Sequence, residues 1–169
     1  MVANLSANKR GWEDRVGKFS SIAKEIDKIR KELLFLVDED SNAFDRIMSS
    51  FKLPNNSEEE KKIRLKAIYD SSIYAAEVPL RVMRRSYDCY ELIFELAKNG
   101  NQNSISDAGV ACLCIHAAIY GAYLNVKINL KDISNDQGIL KKANQIIKKS
   151  SFERDKIICL LYTSPSPRD

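Results

Sequence analysis

Two stretches of this chain hold side chains that could move protons. The first is Asp38-Glu39-Asp40-Ser41, and the second is the polar run Asn99 to Asp107, which contains Asn101, Asn103, Ser104 and Ser106. A carboxylate in a partly desolvated pocket can take or give a proton near neutral pH. Each stretch also has a purely structural explanation. Asp is a favoured N-cap, so Asp38 or Asp40 would start a short helix through Phe44. Ser104, three residues before Asp107, is spaced as a capping box, and an acid in a first turn suits the helix dipole. On residue types alone, capping is favoured over catalysis in both places. His116 sits within the apolar run Ala108 to Leu124 and reads as a core histidine with satisfied nitrogens. There is no Gly-rich phosphate loop, HExxH pair or nucleophile elbow. Cysteines fall at 89, 112, 114 and 159. Cys112 and Cys114 are two apart and point to different sides of a helix, so neither a zinc pair nor a CxxC motif is present, and buried free thiols are expected.

The elements that must position these groups are helical. The 169 residues suit one domain, and 44% hydrophobic with 30% charged residues fits a soluble globular chain. A net charge of +4 without a basic stripe interleaved with aromatics argues against nucleic acid. No secretion signal is evident, and a cytoplasmic location is expected. Apolar residues Phe19, Ile22, Ile26, Ile29, Leu33 and Leu36 step by threes and fours along an amphipathic helix over 13–37. Asp38 to Ser41 interrupts it, and a short helix resumes over 42–51. Ser57 and Glu60 form a capping box that opens a helix to about Ala76. Val78-Pro79-Leu80 marks a kink or a new start, followed by a helix that ends at Asn99-Gly100. The run Ala108 to Leu124 is 17 residues, short of the roughly 20 that span a bilayer, and is expected to be a buried central helix to about Leu130. A last amphipathic helix covers about 136–158. No membrane contact is expected. The fold class is all-α, a bundle of about five to six helices.

Both ends are unusual. The final eleven residues, CLLYTSPSPRD, resemble the translation of a transposase adapter used in sequencing libraries, so 159–169 is expected to be a non-native tail on a domain over 1–158. Met1-Val2-Ala3-Asn4-Leu5 reads as the end of an apolar helix whose body is missing, an N-terminal truncation.

Several segments together carry a family resemblance. They are Met1 to Leu5, Leu36-Val37-Asp38-Glu39-Asp40 with Ala43-Phe44, Leu53-Pro54, Val78-Pro79-Leu80, and the run from Lys98 to Leu130. In order and spacing these resemble the cyclodeaminase/cyclohydrolase family of folate enzymes. That family includes the cyclodeaminase domain of formiminotransferase-cyclodeaminase and a stand-alone methenyltetrahydrofolate cyclohydrolase. The resemblance implies an all-helical homodimer acting on a tetrahydrofolate with a one-carbon unit between N5 and N10. The expected reaction is formiminotetrahydrofolate cyclodeamination, with methenyltetrahydrofolate hydrolysis as the alternative. No cofactor is implied beyond the folate substrate, and no metal. Asp38, Asp40 and Asp107 become the catalytic candidates. Asn101, Asn103, Ser106, Asn125 and Asn129 would orient the pterin and the reacting amide, and Arg81, with Arg84 and Arg85, would meet glutamyl carboxylates. Family members also carry a Pro-Gly-Gly-Gly-Ser loop and a small-residue helix ahead of the Met-Val-Ala-Asn segment, which this sequence lacks. A non-catalytic helical interaction module is the reading of a different class, because the amphipathic stripes need nothing more.

Overall fold

The computed structural model describes residues 1–163. Six α-helices follow in order: α1 Val2–Ala7, α2 Val16–Phe51, α3 Glu58–Tyr87, α4 Cys89–Asn99, α5 Ile105–Asn129 and α6 Ile139–Thr163. Short 3₁₀ turns cover Glu13–Arg15 and Gln102–Ser104, and no strand occurs among the described residues. The all-α class expected from the periodicity is the observed one.

The helix α2 is continuous over 36 residues. Ile22, Ile29, Leu36, Ala43 and Ser50 recur every seventh position and are all buried, so one seam runs straight through the acidic segment. That segment was expected to break the helix, with Asp38 or Asp40 as a new N-cap. It does not, because Leu36 and Ala43 dock on α3 on either side of it. Asp38 and Asp40 lie in mid-helix, exposed, and cap nothing.

The helix α3 begins on the expected capping box: Ser57 Oγ accepts from the Glu60 amide, and Glu60 Oε2 accepts from the Ser57 amide. It then runs on through Pro79, where a break was expected. Proline lacks the N–H that would bond the carbonyl four residues back, which is that of Ala75. Asn129 Nδ2 donates to this carbonyl at 2.7 Å, so the orphaned acceptor is satisfied from α5 and the helix survives. The break comes instead at Asp88.

The most enclosed helix is therefore α3. From Ser71 to Met83 it is buried on nearly every side, with α2, α5 and α6 packed around it. The small residues Ser71, Ser72, Ala75 and Ala76 let those neighbours approach. The expected central helix, α5, buries Ala108, Gly109, Cys112, Ile119, Ala122 and Val126 on one face. Its other face leaves Val110, Leu113, Tyr120, Leu124 and Ile128 exposed. Uniform apolarity could not reveal this, because it marks no face as the inner one. The last helix also departs from expectation. Instead of stopping near Ile158 it continues to Thr163, and Leu161 lies over Gly109, where an added Cβ would come within 2.6 Å of Leu161 Cδ1. The rest of the adapter-like stretch, 164–169, lies outside the described residues.

Candidate functional site

The chemically able residues fall into two regions. The first is the loop between α4 and α5. Gly100 ends α4, its amide donating to Leu96 O at 2.9 Å. A Cβ at Gly100 would stand 2.4 Å from that carbonyl oxygen, so the close approach demands glycine. Asn101 Oδ1 accepts from the Asn103 amide and so caps the 3₁₀ turn. The Asn101 amide donates to Oγ of Ser6, a fully buried side chain of α1. Ser104 Oγ donates back to Asn101 O. The expected capping box of Ser104 with Asp107 is absent, because the Ser104 hydroxyl is already engaged and makes no bond to the α5 amides. Asp107 is half-buried in the first turn of α5, and Asn103 and Ser106 are exposed beside it. An apolar groove of about 380 Å³ lies nearby, bounded by Val2, Ile26, Ile93, Leu96, Ala108 and Ile115, with Asn4, Asp27 and Arg30 also lining it.

The second region is the face between α2 and α3. Tyr74 OH donates to Glu39 Oε2 at 2.5 Å, and Arg81 Nη1 lies 3.6 Å from the same oxygen. The hydrogen bond to Glu39, with burial, raises the Tyr74 phenol above its ordinary value and keeps its proton in place. The guanidinium of Arg46 lies 4.4 Å over the Tyr74 ring. Alongside is a cleft of about 570 Å³ lined by Lys31, Glu32, Phe35, Leu36, Arg81, Arg84 and Arg85. Arg85 is paired with Glu32 at 2.5 Å and Asp88 at 2.6 Å, while Arg84 has no ion-pair partner among the described residues. Asp38 and Asp40 flank this face in sequence. Asn125 is exposed on α5, and Asn129 is engaged in holding the Pro79 turn.

The structure thus splits the candidates. Asp107 and Asn129 are 22 residues apart on one straight helix, roughly 33 Å at 1.5 Å per residue. Asn101, Asn103, Ser106 and Asp107 belong to one end of α5, and Asn129, with Asp38, Asp40 and Arg81, to the other. The residue missed in the sequence is Glu39, half-buried on α2, which no spacing signal marked and which only Tyr74 and Arg81 of α3 single out. No cluster of three or more metal-ligating side chains occurs among the described residues.

A third polar group lies deeper. His116 Nε2 accepts from Arg154 Nη1 at 2.9 Å, so its proton sits on Nδ1 and is donated to Ser150 Oγ at 2.8 Å. Ser150 in turn meets Tyr90 OH at 2.8 Å. Burial, then the charge of Arg154, holds His116 below its ordinary value. Tyr90 is pushed up to about 12, chiefly by burial. Both ring nitrogens are engaged, as a core histidine requires. Cys89 and Cys112 are buried as expected, and burial pushes each thiol up to about 11, but Cys114 and Cys159 are exposed.

The all-helical bundle is a fold that known proteins share. The family described as formiminotransferase-cyclodeaminase matches residues 1–149, and the chain belongs to that family. Methenyltetrahydrofolate cyclohydrolase of Methylorubrum extorquens is 33% identical over 135 residues, covering 80% of this chain and 65% of its own length. Formimidoyltransferase-cyclodeaminase of Gallus gallus is 34% identical over 137 residues, covering 81% of this chain and 25% of its own. The chain therefore spans just under two thirds of the first relative and a quarter of the second. A crystal structure of formiminotetrahydrofolate cyclodeaminase from Thermotoga maritima matches 95% of this chain and 76% of that one, with TM-score 0.75 and 29% identity.

Proposed function

We propose that this chain carries a folate one-carbon activity, formiminotetrahydrofolate cyclodeaminase. N10 attacks the formimino carbon, ammonia leaves, and 5,10-methenyltetrahydrofolate forms. The observation that carries this reading is the likeness to the Thermotoga maritima cyclodeaminase over 95% of the chain. A second reading, methenyltetrahydrofolate cyclohydrolase, is favoured by one specific fact. The Methylorubrum extorquens relative is matched over 65% of its length, where the bifunctional relative is matched over 25%. Both reactions pass through a tetrahedral carbon and move protons, so carboxylates suffice and neither a metal nor a redox cofactor is called for.

Within this reading the face between α2 and α3 is the better candidate site. The polar groups of the loop at 100–104 are bonded mostly to one another and to α1, whereas the α2–α3 face keeps Arg84 without an ion-pair partner among the described residues. The cleft with Lys31, Arg81, Arg84 and Arg85 suits the glutamyl carboxylates of a folate. Asp107 keeps its standing as an acid–base candidate at the other end of α5. The half-exposed apolar face of α5 supports a homodimer as the working unit; a cytoplasmic location, with no nucleic acid or membrane partner, completes this reading.

The deciding experiment follows methenyl absorbance and ammonia together after adding 5-formiminotetrahydrofolate. A joint rise supports the cyclodeaminase. No rise, with accelerated hydrolysis of added methenyltetrahydrofolate, selects the cyclohydrolase. Silence on both substrates defeats the folate reading.

A further inference from the structure

We propose that Glu39 is a catalytic carboxylate of this site, with Tyr74 and Arg81 as the residues that position it. The inference rests on the folate reading above and assigns its proton acceptor. The two oxygens of Glu39 are used differently. Oε2 takes the Tyr74 hydroxyl at 2.5 Å and faces Arg81 at 3.6 Å, while Oε1 has no hydrogen-bond partner among the described residues. The side chain is 20% exposed, so Oε1 is reachable but largely screened from water. Tyr74 is itself held, with the Arg46 guanidinium over its ring. Arg81 joins this cluster to the cleft where Arg84 and Lys31 would take the anionic end of the substrate. A carboxylate with one oxygen fixed and the other open, at the edge of a cationic cleft, is preorganised to accept a proton from a bound ligand. A mere tie between α2 and α3 would need only Oε2.

The proton path balances in either reaction. In the deaminase, the formimino nitrogen enters protonated; the N10 lone pair forms the bond to the formimino carbon, the C=N π pair moves onto that nitrogen to make it an amine, and the N10 proton passes to Oε1. The bond from carbon to the departing nitrogen then breaks with its electron pair on nitrogen, which takes the proton from Oε1 and leaves as ammonia. In the hydrolase, water oxygen bonds to the methenyl carbon and gives its proton to Oε1. The carbon–N5 bond breaks with its pair on N5, which is then protonated, and the second water proton is released.

The test compares turnover and binding in the same chain. Glu39→Gln keeps the size of the side chain and its bond to Tyr74, and kcat should fall about 100-fold or more with KM within about threefold. Glu39→Ala should regain at least about tenfold of its lost turnover as formate is added, since a free carboxylate can refill the site. Tyr74→Phe should lose about tenfold in kcat through misplacement of Glu39. Helical circular dichroism is recorded for each variant. A folded Glu39→Gln that turns over within about threefold of wild type overturns the proposal, as does a Glu39→Ala that formate leaves unchanged. Should Glu39→Gln fail to fold, Tyr74→Phe decides: full activity there overturns the proposal. A wild-type chain silent on both folates overturns the functional reading first, which is a distinguishable result.

Discussion

The loop around Asn101 and the acidic segment around Glu39 look alike in sequence, each a short polar stretch beside an apolar run. In the folded chain they differ in where their hydrogen bonds go. At the loop, Asn101, Ser104 and Gly100 bond to neighbouring backbone, and the buried Ser6 hydroxyl completes the set. At the acidic segment the backbone is satisfied within α2, so the side chains are left for other partners, and Tyr74 and Arg81 come from α3. The contrast teaches that a polar cluster closing its own backbone bonds supports the fold. A cluster on a continuous helix, with an oxygen still open beside a cleft, is better placed for ligand chemistry.

Substitutions in the two regions should therefore fail in different ways. The largest stability loss should come from Gly100→Ala, whose Cβ would press on Leu96 O at 2.4 Å, costing about 3 kcal/mol in chemical denaturation. Turnover per folded molecule should be unchanged, and a loss of kcat without loss of stability would erase the contrast. Ser6→Ala should follow at about 2 kcal/mol, because it leaves the Asn101 amide without its partner. Arg84→Ala on the other face should leave the melting temperature in place and raise the folate KM roughly fivefold, about 1 kcal/mol of binding. A KM that does not move would remove Arg84 from the substrate cleft.

The smallest effect sharpens the comparison with a polar group that belongs to neither region. His116 is held below its ordinary value of 6.5, so the unfolded chain binds the proton first as pH falls. Its contribution to stability is present above about pH 6.5 and is lost as pH falls from there towards the folded value. Melting temperatures measured from pH 7.5 to 5.5 should decline less steeply in His116→Gln than in wild type. Equal slopes would mean that the imidazole is not neutral in the fold.

Much of this was legible in the chain itself. The apolar stripe of α2 as far as Leu36, the capping box at Ser57 and the stop at Gly100 follow from local spacing and backbone chemistry, whereas the α6 partners that satisfy His116, Ser150 and Arg154, do not. The failures share one cause. Asp38 to Ser41 and Pro79 look like breaks to local rules, and both were carried through by contacts from another helix: Leu36 and Ala43 on α3, and Asn129 on Ala75 O. The apolar run of α5 predicts burial without saying which face is buried or which helix is central.

The sequence alone determined the all-helical class, the start of α3 and the stop of α4, and the motifs that identify the family, because these depend on residues within a turn or two of each other. Tertiary structure decided which acid matters. The stepping by fours and threes from Leu36 to Ala43 passes through Asp40, and only the approach of Tyr74 and Arg81 on α3 singles out Glu39. That approach is set by burial of the small-residue face of α3, a non-local packing choice that no spacing along α2 encodes.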